Sequence, residues 1–388
     1  MQSFPFKIAI VSHSYPSVSD PSRALFVKNE ARLISSDHSV EIHLLSAFTL
    51  PFMKRAKRHQ HPLEDTLPLH QSTYLSVPRR NLSALTQFFI SRSLLKSIVK
   101  QQPDIVHLHS LFPSGGAAKA LKKKGYPVVL TIHGGDWYYN LPRPRLMKRL
   151  IDSLHHCDRI VCVGQQLIKD ISDYEPALEK KLIHIPHGID TNIFCRAEEP
   201  TGAKKKLRWA PEKTHLLAVG NLFRVKGFDL LLTAFSEITQ RPGCHLHIIS
   251  HREERDAKRE VENIMKEKDL KAQVTFYGRQ SPEELVQFYR AADILISSSR
   301  KEGFGLVVAE AMACGTPVLA TRSGGPEEIL TDKTGMLVDI EKLATGLEKM
   351  ISKVNLYDPD YLHAYIDKNY SLSSKMDNLN QVYSELTT

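Results

Sequence analysis

No stretch of this sequence holds the roughly 18–20 consecutive apolar residues that a membrane-crossing helix needs, so no transmembrane span is expected. Cysteine is scarce: five residues, at 157, 162, 195, 244 and 314, odd in number and without a CxxC pair. That excludes a disulfide scaffold and a dithiol redox motif, and predicts buried thiols in a reducing cytoplasm. No internal repeat and no low-complexity tract occurs, which excludes a solenoid or a disordered chain. There is no zinc-finger, RNP or basic-zipper signature, so nucleic acid is not an expected partner. The opening MQSFPFKIAIVSHSYP has a single lysine before a short apolar run. It predicts a first core strand rather than a secretion signal.

What is present is a chain of 388 residues, 42% hydrophobic and 24% charged, the composition of a globular enzyme with two domains of ordinary size. Charge is uneven. Residues 1–195 carry 25 Lys+Arg against 15 Asp+Glu, a net +10, whereas residues 196–388 are at −1. A basic first half favours anionic ligands or an anionic membrane surface.

Short apolar runs alternate with helical patterns along the whole chain. IAIVSH (8–13), VEIHLLS (40–46), DIVHLHS (104–110), VVLTIHG (128–134) and DRIVCVG (158–164) predict strands in the first half. HLLAVGN, HLHIISH, VTFYG, DILISSS, PVLATRS and TGMLVDI predict them in the second. Near-continuous apolar runs suit parallel strands buried on both faces. ALFVKNEARLIS, LTQFFISRSLLKSIVKQ and AAKALKKKG predict helices in the first half, and DLLLTAFSEI, KREVENIMKEKDL, PEELVQFYRAA and GLVVAEAMACG in the second. Two such series imply an α/β fold of two doubly wound Rossmann-like domains. The turn-rich IPHGIDTNIF (185–194) marks the boundary. We expect a first domain over 1–190, completed by a terminal helix over 370–388, and a second over 191–369. LPFMKRAKRHQHPL (50–63) predicts a solvated basic loop, with a membrane-facing loop as the sharper alternative.

In open parallel sheets ligands bind beyond the C-terminal ends of the strands, and the distinctive residues gather there. Glu302 follows a strand; Gly303 and Gly305 allow close backbone approach and open a helix whose N-terminus suits a phosphate. Glu310 lies about a turn into that helix. It cannot serve a phosphate, but it can accept hydrogen bonds from ribose hydroxyls, and Glu302 from a second polyol. The plainer reading is that both acids decorate a helix start. In VGNLFRVKGFDLLLTAF (219–235), Arg224 and Lys226 stand beside another helix start, as a pyrophosphate site would need. A departing diphosphate requires such a fixed cation. In VVLTIHGGDWYY (128–139), His133 could donate to a sugar hydroxyl and Asp136 could orient an acceptor hydroxyl, although a histidine after a strand is commonly structural. His107, His109 and His187 are expected to be structural. No histidine pair has a third ligand at zinc spacing, so no metal is predicted.

Glu302-Gly303-Phe304-Gly305, followed by Glu310-Ala311-Met312-Ala313-Cys314-Gly315-Thr316-Pro317, resembles the signature of the family 4 retaining glycosyltransferases. YPSVSDPSRALFVKNEA, TIHGGD, PHGID with Phe194, GNLFRVKGFDLLLTAF, SGGPEEIL and a last helix ending VYSEL agree in order, so the resemblance spans essentially the whole chain. It implies a GT-B fold: two Rossmann-like domains facing across a cleft that closes on the donor, the first for the acceptor, the second for the nucleotide sugar. It implies Glu310 on the ribose, Glu302 on the donor sugar, and Phe304, Gly305 and Leu306 offering backbone. Lys226 would hold the diphosphate, and His133 would touch the donor sugar near the reacting carbon. Asn221, Arg224, Gly278, Arg279, Gly303 and Val307 complete the implied donor set, and Gly135 joins Asp136 for the acceptor. Retention without an essential metal and without a cofactor, on a UDP- or GDP-sugar, is implied as well.

The chain departs from the family pattern in three places. Asn221 stands where many members have arginine, which leaves Arg224 as the replacement cation. SHSYPSVSDPSRA stands in place of a Gly-Gly pair, as in a subset that serves surface polysaccharides. IISHREERD (248–256) stands in place of a glycine-rich turn. The expected protein is therefore a cytoplasmic glycosyltransferase of cell-envelope polysaccharide or glycoconjugate synthesis. Its acceptor would be a carbohydrate or lipid-linked, with peripheral contact to an anionic membrane. The rivals are a nucleotide-sugar 2-epimerase and a scaffold that binds a sugar nucleotide without turnover.

Overall fold

A computed structural model describes residues 5–20, 23–48, 66–76, 83–196 and 200–387. The basic stretch 50–63 lies outside them. The chain divides into two compact units, Met1–Pro186 with Lys375–Thr388, and His187–Ser374. The sequence reading put the division at 190/191.

Among its described residues the first unit holds seven parallel strands: β1 (Lys7–Ser12), β2 (Ser39–Phe48), β3 (Leu69–Leu75), β4 (Ile105–His109), β5 (Val128–Ile132), β6 (Arg159–Cys162) and β7 (Leu182–His184). They lie in the order β3-β2-β1-β4-β5-β6-β7. The second unit repeats the plan with β8 (Thr214–Val219), β9 (Cys244–Ile249), β10 (Val274–Tyr277), β11 (Ile294–Ser297), β12 (Val318–Thr321) and β13 (Gly335–Val338). Their order is β10-β9-β8-β11-β12-β13. In each sheet the order reverses beside the first strand, between β1 and β4 and between β8 and β11. That switch point is where open α/β sheets bind ligands.

The apolar runs are strands because both faces of each sheet are covered. Alternate residues of β1 feed different cores. Ile8 and Ile10 pack with Val27, Ala31, Leu379 and Tyr383. Ala9 and Val11 pack with Ile90, Leu94 and Leu150. In the second unit Leu216 and Ala218 pack with Leu231, Phe235 and Leu347.

All eleven strands expected from the sequence form. Two more appear, β3 and β7. The helices Pro144–His155, Gln165–Tyr174, Leu343–Lys353 and Pro359–Tyr370 were not assigned from the sequence either. The terminal segment is divided: one helix ends at Tyr370, Ser371 is extended (ψ 165°), and Leu372–Thr387 forms the last helix.

Candidate functional site

In the second unit, the loops leaving β8 and β11 at the switch point are tied into one body. Ser298 Oγ donates to the Lys226 carbonyl at 3.1 Å. Arg300 forms a two-pronged pair with Asp229, Nη1–Oδ1 2.8 Å and Nη2–Oδ2 2.5 Å, and Nη1 also reaches the Arg224 carbonyl at 2.8 Å. Such fork geometry fixes direction as well as distance. Gly227 makes the approach feasible. Its φ is +65°, and a Cβ there would stand 2.0 Å from the Ser298 carbonyl oxygen.

On this frame Lys226 Nζ meets Glu302 Oε2 at 2.5 Å. Ser299 Oγ donates to the same oxygen at 3.2 Å. Both charged side chains keep some exposure, 27% for Lys226 and 16% for Glu302, so a ligand can reach them. The Glu302 main chain is stitched to the loop after β12. Its N–H donates to the Ser323 carbonyl at 2.8 Å, and its carbonyl accepts the Gly325 N–H at 3.1 Å. The Glu327 carboxylate holds that second loop by accepting the Ser323 and Gly324 N–H groups at 3.2 and 2.9 Å.

Gly305, with φ +104°, caps the helix Leu306–Ala313. The first N–H groups of a helix lack intrahelical acceptors and form its positive end. Glu310 lies in the second turn and accepts a hydrogen bond from Tyr289 Oη at 2.8 Å. Burial pushes the Glu310 carboxyl up to about 7, against the opposing pull of the Tyr289 hydroxyl.

Other expected donor residues are placed less centrally. Phe304 is buried, its ring 5.8 Å from that of His187 and 5.6 Å from that of Tyr370, so only its backbone can face a ligand. His187 is thereby a packing residue, as expected. Arg224 is exposed, and its N–H donates to the Glu254 carboxylate at 3.1 Å. Asn221 Oδ1 is buried without a hydrogen-bond partner among the described residues. Gly278 and Arg279 are exposed and follow β10, the edge strand two places from β8. Gly303, Leu306 and Val307 are half-buried along the loop and helix start.

In the first unit His133 follows β5, and Gly134 (φ +83°) turns the chain into the short helix Gly135–Tyr138. Asp136, offered to an acceptor hydroxyl, accepts the N–H of His133 on its own loop at 2.9 Å and that of Leu111, on the loop after β4, at 2.6 Å. Burial raises its pKa while those N–H groups lower it. Its visible role is to fix the loop that carries His133. Gly135 is exposed beside open space.

The histidines of this unit lie close together. His109 Nδ1 lies 3.3 Å from His133 Nε2, and the rings of His107 and His109 stack at 4.7 Å. His107 bonds Tyr383 Oη and Thr131 Oγ1, each at 2.7 Å. Beneath them Glu30, from the helix Leu25–Ile34, pairs with Lys375 at 2.5 Å. The absence of a third ligand at zinc spacing along the sequence says nothing of residues brought together by the fold. Among the described residues two Glu-His-His groups converge: Glu30 with His107 and His109, and Glu41 with His43 and His70.

With this geometry in hand, comparison with known proteins decides the family. The model described as glycosyltransferase family 4 matches residues 31–193, and that described as glycosyl transferases group 1 matches residues 201–369. The chain belongs to glycosyltransferase family 4. It is 31% identical over 249 residues to a D-inositol 3-phosphate glycosyltransferase of Segniliparus rotundus, covering 61% of this chain and 55% of that protein. It is 34% identical over 229 residues to the mannosylfructose-phosphate synthase of Agrobacterium fabrum, covering 57% and 49%. The chain thus spans about half the length of these relatives. A sucrose-phosphate synthase from Thermosynechococcus elongatus has the same fold, with TM-score 0.80, 20% identity, and 98% and 99% of the two chains covered. The fold is GT-B, two Rossmann-like domains. No helix among the described residues is long and apolar enough to cross a membrane.

The sequence points to Lys226, Glu302 and Glu310 but not to the pairing of the first two or to the groups that hold all three. Tyr289, Ser299, Arg300, Asp229 and Glu327 were given no role. Asp229 and Glu327 lie inside motifs quoted for the resemblance, and Arg300 stands two residues before Glu302, so proximity to those motifs was the available signal.

Proposed function

We propose that this family 4 chain is a retaining glycosyltransferase that moves a sugar from a nucleoside diphosphate, UDP or GDP, to a carbohydrate or lipid-linked acceptor in cell-envelope synthesis. One observation carries the reading: a lysine–glutamate pair and a helix N-terminus sit at the switch point of a Rossmann-like unit, with a partly protonated glutamate one turn along. That arrangement suits a ligand with two polyols joined by phosphates.

Glu302 holds Lys226 in position until the donor arrives. Lys226 then faces the diphosphate, Glu302 accepts donor-sugar hydroxyls, and Glu310 accepts those of the ribose. The bond between the anomeric carbon and the diphosphate oxygen breaks with its electron pair on the phosphate. Lys226, Arg224 and the helix N-terminus stabilise that charge in place of a metal ion. The acceptor oxygen attacks the same face, and its proton passes to the departing phosphate. His133 serves the donor sugar. The relatives' names contain a phosphorylated polyol, which supports a polyol acceptor. The reaction takes place in the cytoplasm, at the inner face of the membrane.

The test is a thermal-shift and turnover screen against UDP, GDP, ADP and their sugar conjugates, with magnesium added or withheld. At a hundred times its Kd a true ligand adds about 2.7 kcal/mol of stability. One nucleotide is expected to stabilise the chain with or without magnesium, and Lys226→Ala to cut turnover about 10²–10³-fold. Stabilisation by no nucleotide would sink the donor reading. Binding without turnover would favour the scaffold, a reading for which the missing cation at Asn221 speaks.

A further inference from the structure

The second Glu-His-His group has no place in the donor chemistry. Glu41 and His43 are two residues apart on β2 and so share a face. His70, on β3, is the register partner of His43. Glu41 Oε2 lies 3.8 Å from His43 Nε2 and 3.4 Å from His70 Nε2. All three atoms are shielded from solvent, and none has a hydrogen-bond partner among the described residues. Three convergent, desolvated and unsatisfied polar atoms are a costly arrangement unless something binds them.

We propose that Glu41 Oε2, His43 Nε2 and His70 Nε2 bind a divalent cation of the zinc class, with water as fourth ligand. Zinc–nitrogen and zinc–oxygen bonds of about 2.0–2.2 Å place tetrahedral ligands roughly 3.3–3.6 Å apart. The 3.4 Å separation fits as it stands, and the 3.8 Å one closes with a shift of a few tenths of an ångström. Two imidazoles and one carboxylate select a borderline metal over magnesium or calcium, which prefer oxygen.

The remaining atoms of the cluster are anchored as outer-sphere partners of metal ligands commonly are. His43 Nδ1 contacts Ser97 Oγ at 3.0 Å. Glu41 Oε1 meets Lys7 Nζ at 2.9 Å, leaving Oε2 for the ion. His70 is 29% exposed, which gives an entry path. The other group differs in one decisive respect. His107 already uses both ring nitrogens there, Nδ1 on Tyr383 Oη and Nε2 on Thr131 Oγ1, each at 2.7 Å.

The place of the cluster sets its role. Glu41 and His70 lie near the starts of β2 and β3, the end of a parallel sheet opposite to the ligand-binding end. The ion therefore clamps the edge strand β3 onto β2 and takes no part in sugar transfer.

The experiment uses the full chain without a histidine tag, stripped with chelator and dialysed. Cobalt(II) is titrated and followed by its visible d–d absorption, then displaced by zinc. One equivalent is expected to bind with a tetrahedral spectrum and to raise the thermal midpoint. His70→Ala, at a half-buried position, is expected to bind at least about tenfold to a hundredfold more weakly while still unfolding cooperatively. X-ray absorption of the zinc-loaded wild type, which depends on no variant, should show nitrogen and oxygen scatterers including two imidazoles. Absence of stoichiometric binding, sulfur scatterers, or unchanged affinity in His70→Ala would each overturn the site.

Discussion

Glu310 shows how one residue can make donor binding depend on pH. Its carboxyl is raised to about 7 by burial, so near neutrality it is protonated about half the time. Ribose hydroxyls donate hydrogen bonds, and only the ionised carboxylate accepts them on both oxygens. Binding therefore favours the deprotonated form, and affinity rises with pH up to about 7 and then levels. For one proton released, the nucleotide Kd should fall about tenfold from pH 6 to pH 8. Calorimetry across that range, in buffers of different ionisation enthalpy, reads both the affinity and the proton. Glu310→Gln should bind more weakly with a flat profile. A wild-type Kd independent of pH would remove Glu310 from the ribose.

Among the elements, the last helix has the clearest energetic signature. Leu372–Thr387 brings Lys375 to Glu30 and Tyr383 to His107, with Met376 and Leu379 in the same core. Burial alone would raise the Glu30 carboxyl; Lys375, with His109 and His107, instead holds it far below its ordinary 4.5. A depressed folded-state pKa contributes stability above the ordinary value, and that stability is lost as pH falls below about 4.5. Lys375→Met leaves the carboxylate buried without its cation, which costs about 3–5 kcal/mol. The sign of the pH dependence should also reverse, because the lone carboxyl now titrates above its ordinary range and stability falls as pH rises through neutrality. Urea unfolding of Lys375→Met, Glu30→Gln and the double variant measures this. The double variant should recover most of the loss, and additive losses would rule out the pair.

How legible these elements were in the sequence follows from where each signal lives. Ile105–His109 and Val128–Ile132 are buried on both faces, so their apolar runs announced them. LHQSTYL of β3 is an edge strand with polar residues at most positions, and β7 has three residues. Neither produces such a run. Missing β3 hid His70, and with it the third member of the Glu41 group. The Glu30 group was hidden differently: its acid lies on a helix 77 residues before His107, and sequence spacing cannot report that approach. The loops proposed for the donor were legible because Lys226 and Glu302 lie in turns that follow strands and Glu310 in the helix that the second turn opens, where topology alone determines the side of the sheet. Their supports, Tyr289 above all, reach the site from neighbouring elements.

At the scale of the whole molecule the remaining signal is charge. Residues 1–195 carry a net +10 and the rest −1, so an anionic surface attracts one half of the chain and is indifferent to the other. Lys54, Arg55, Lys57 and Arg58 form the densest basic run of that half. They lie outside the described residues, and their contribution is argued from sequence alone. Each basic group near an anionic leaflet contributes ~1 kcal/mol, screened beyond a Debye length. The full chain should therefore float with phosphatidylserine vesicles at low salt, stay behind with neutral ones, and be released as ionic strength rises. Replacing the four residues with glutamine should lower the partition coefficient by up to about three orders of magnitude, with nucleotide-induced stabilisation unchanged. If the chain ignores anionic vesicles at low salt, the acceptor must be met in solution, and lipid-linked acceptors fall away while the donor chemistry stands. If it floats but the four substitutions make no difference, the attraction is spread over the first unit rather than concentrated in that run.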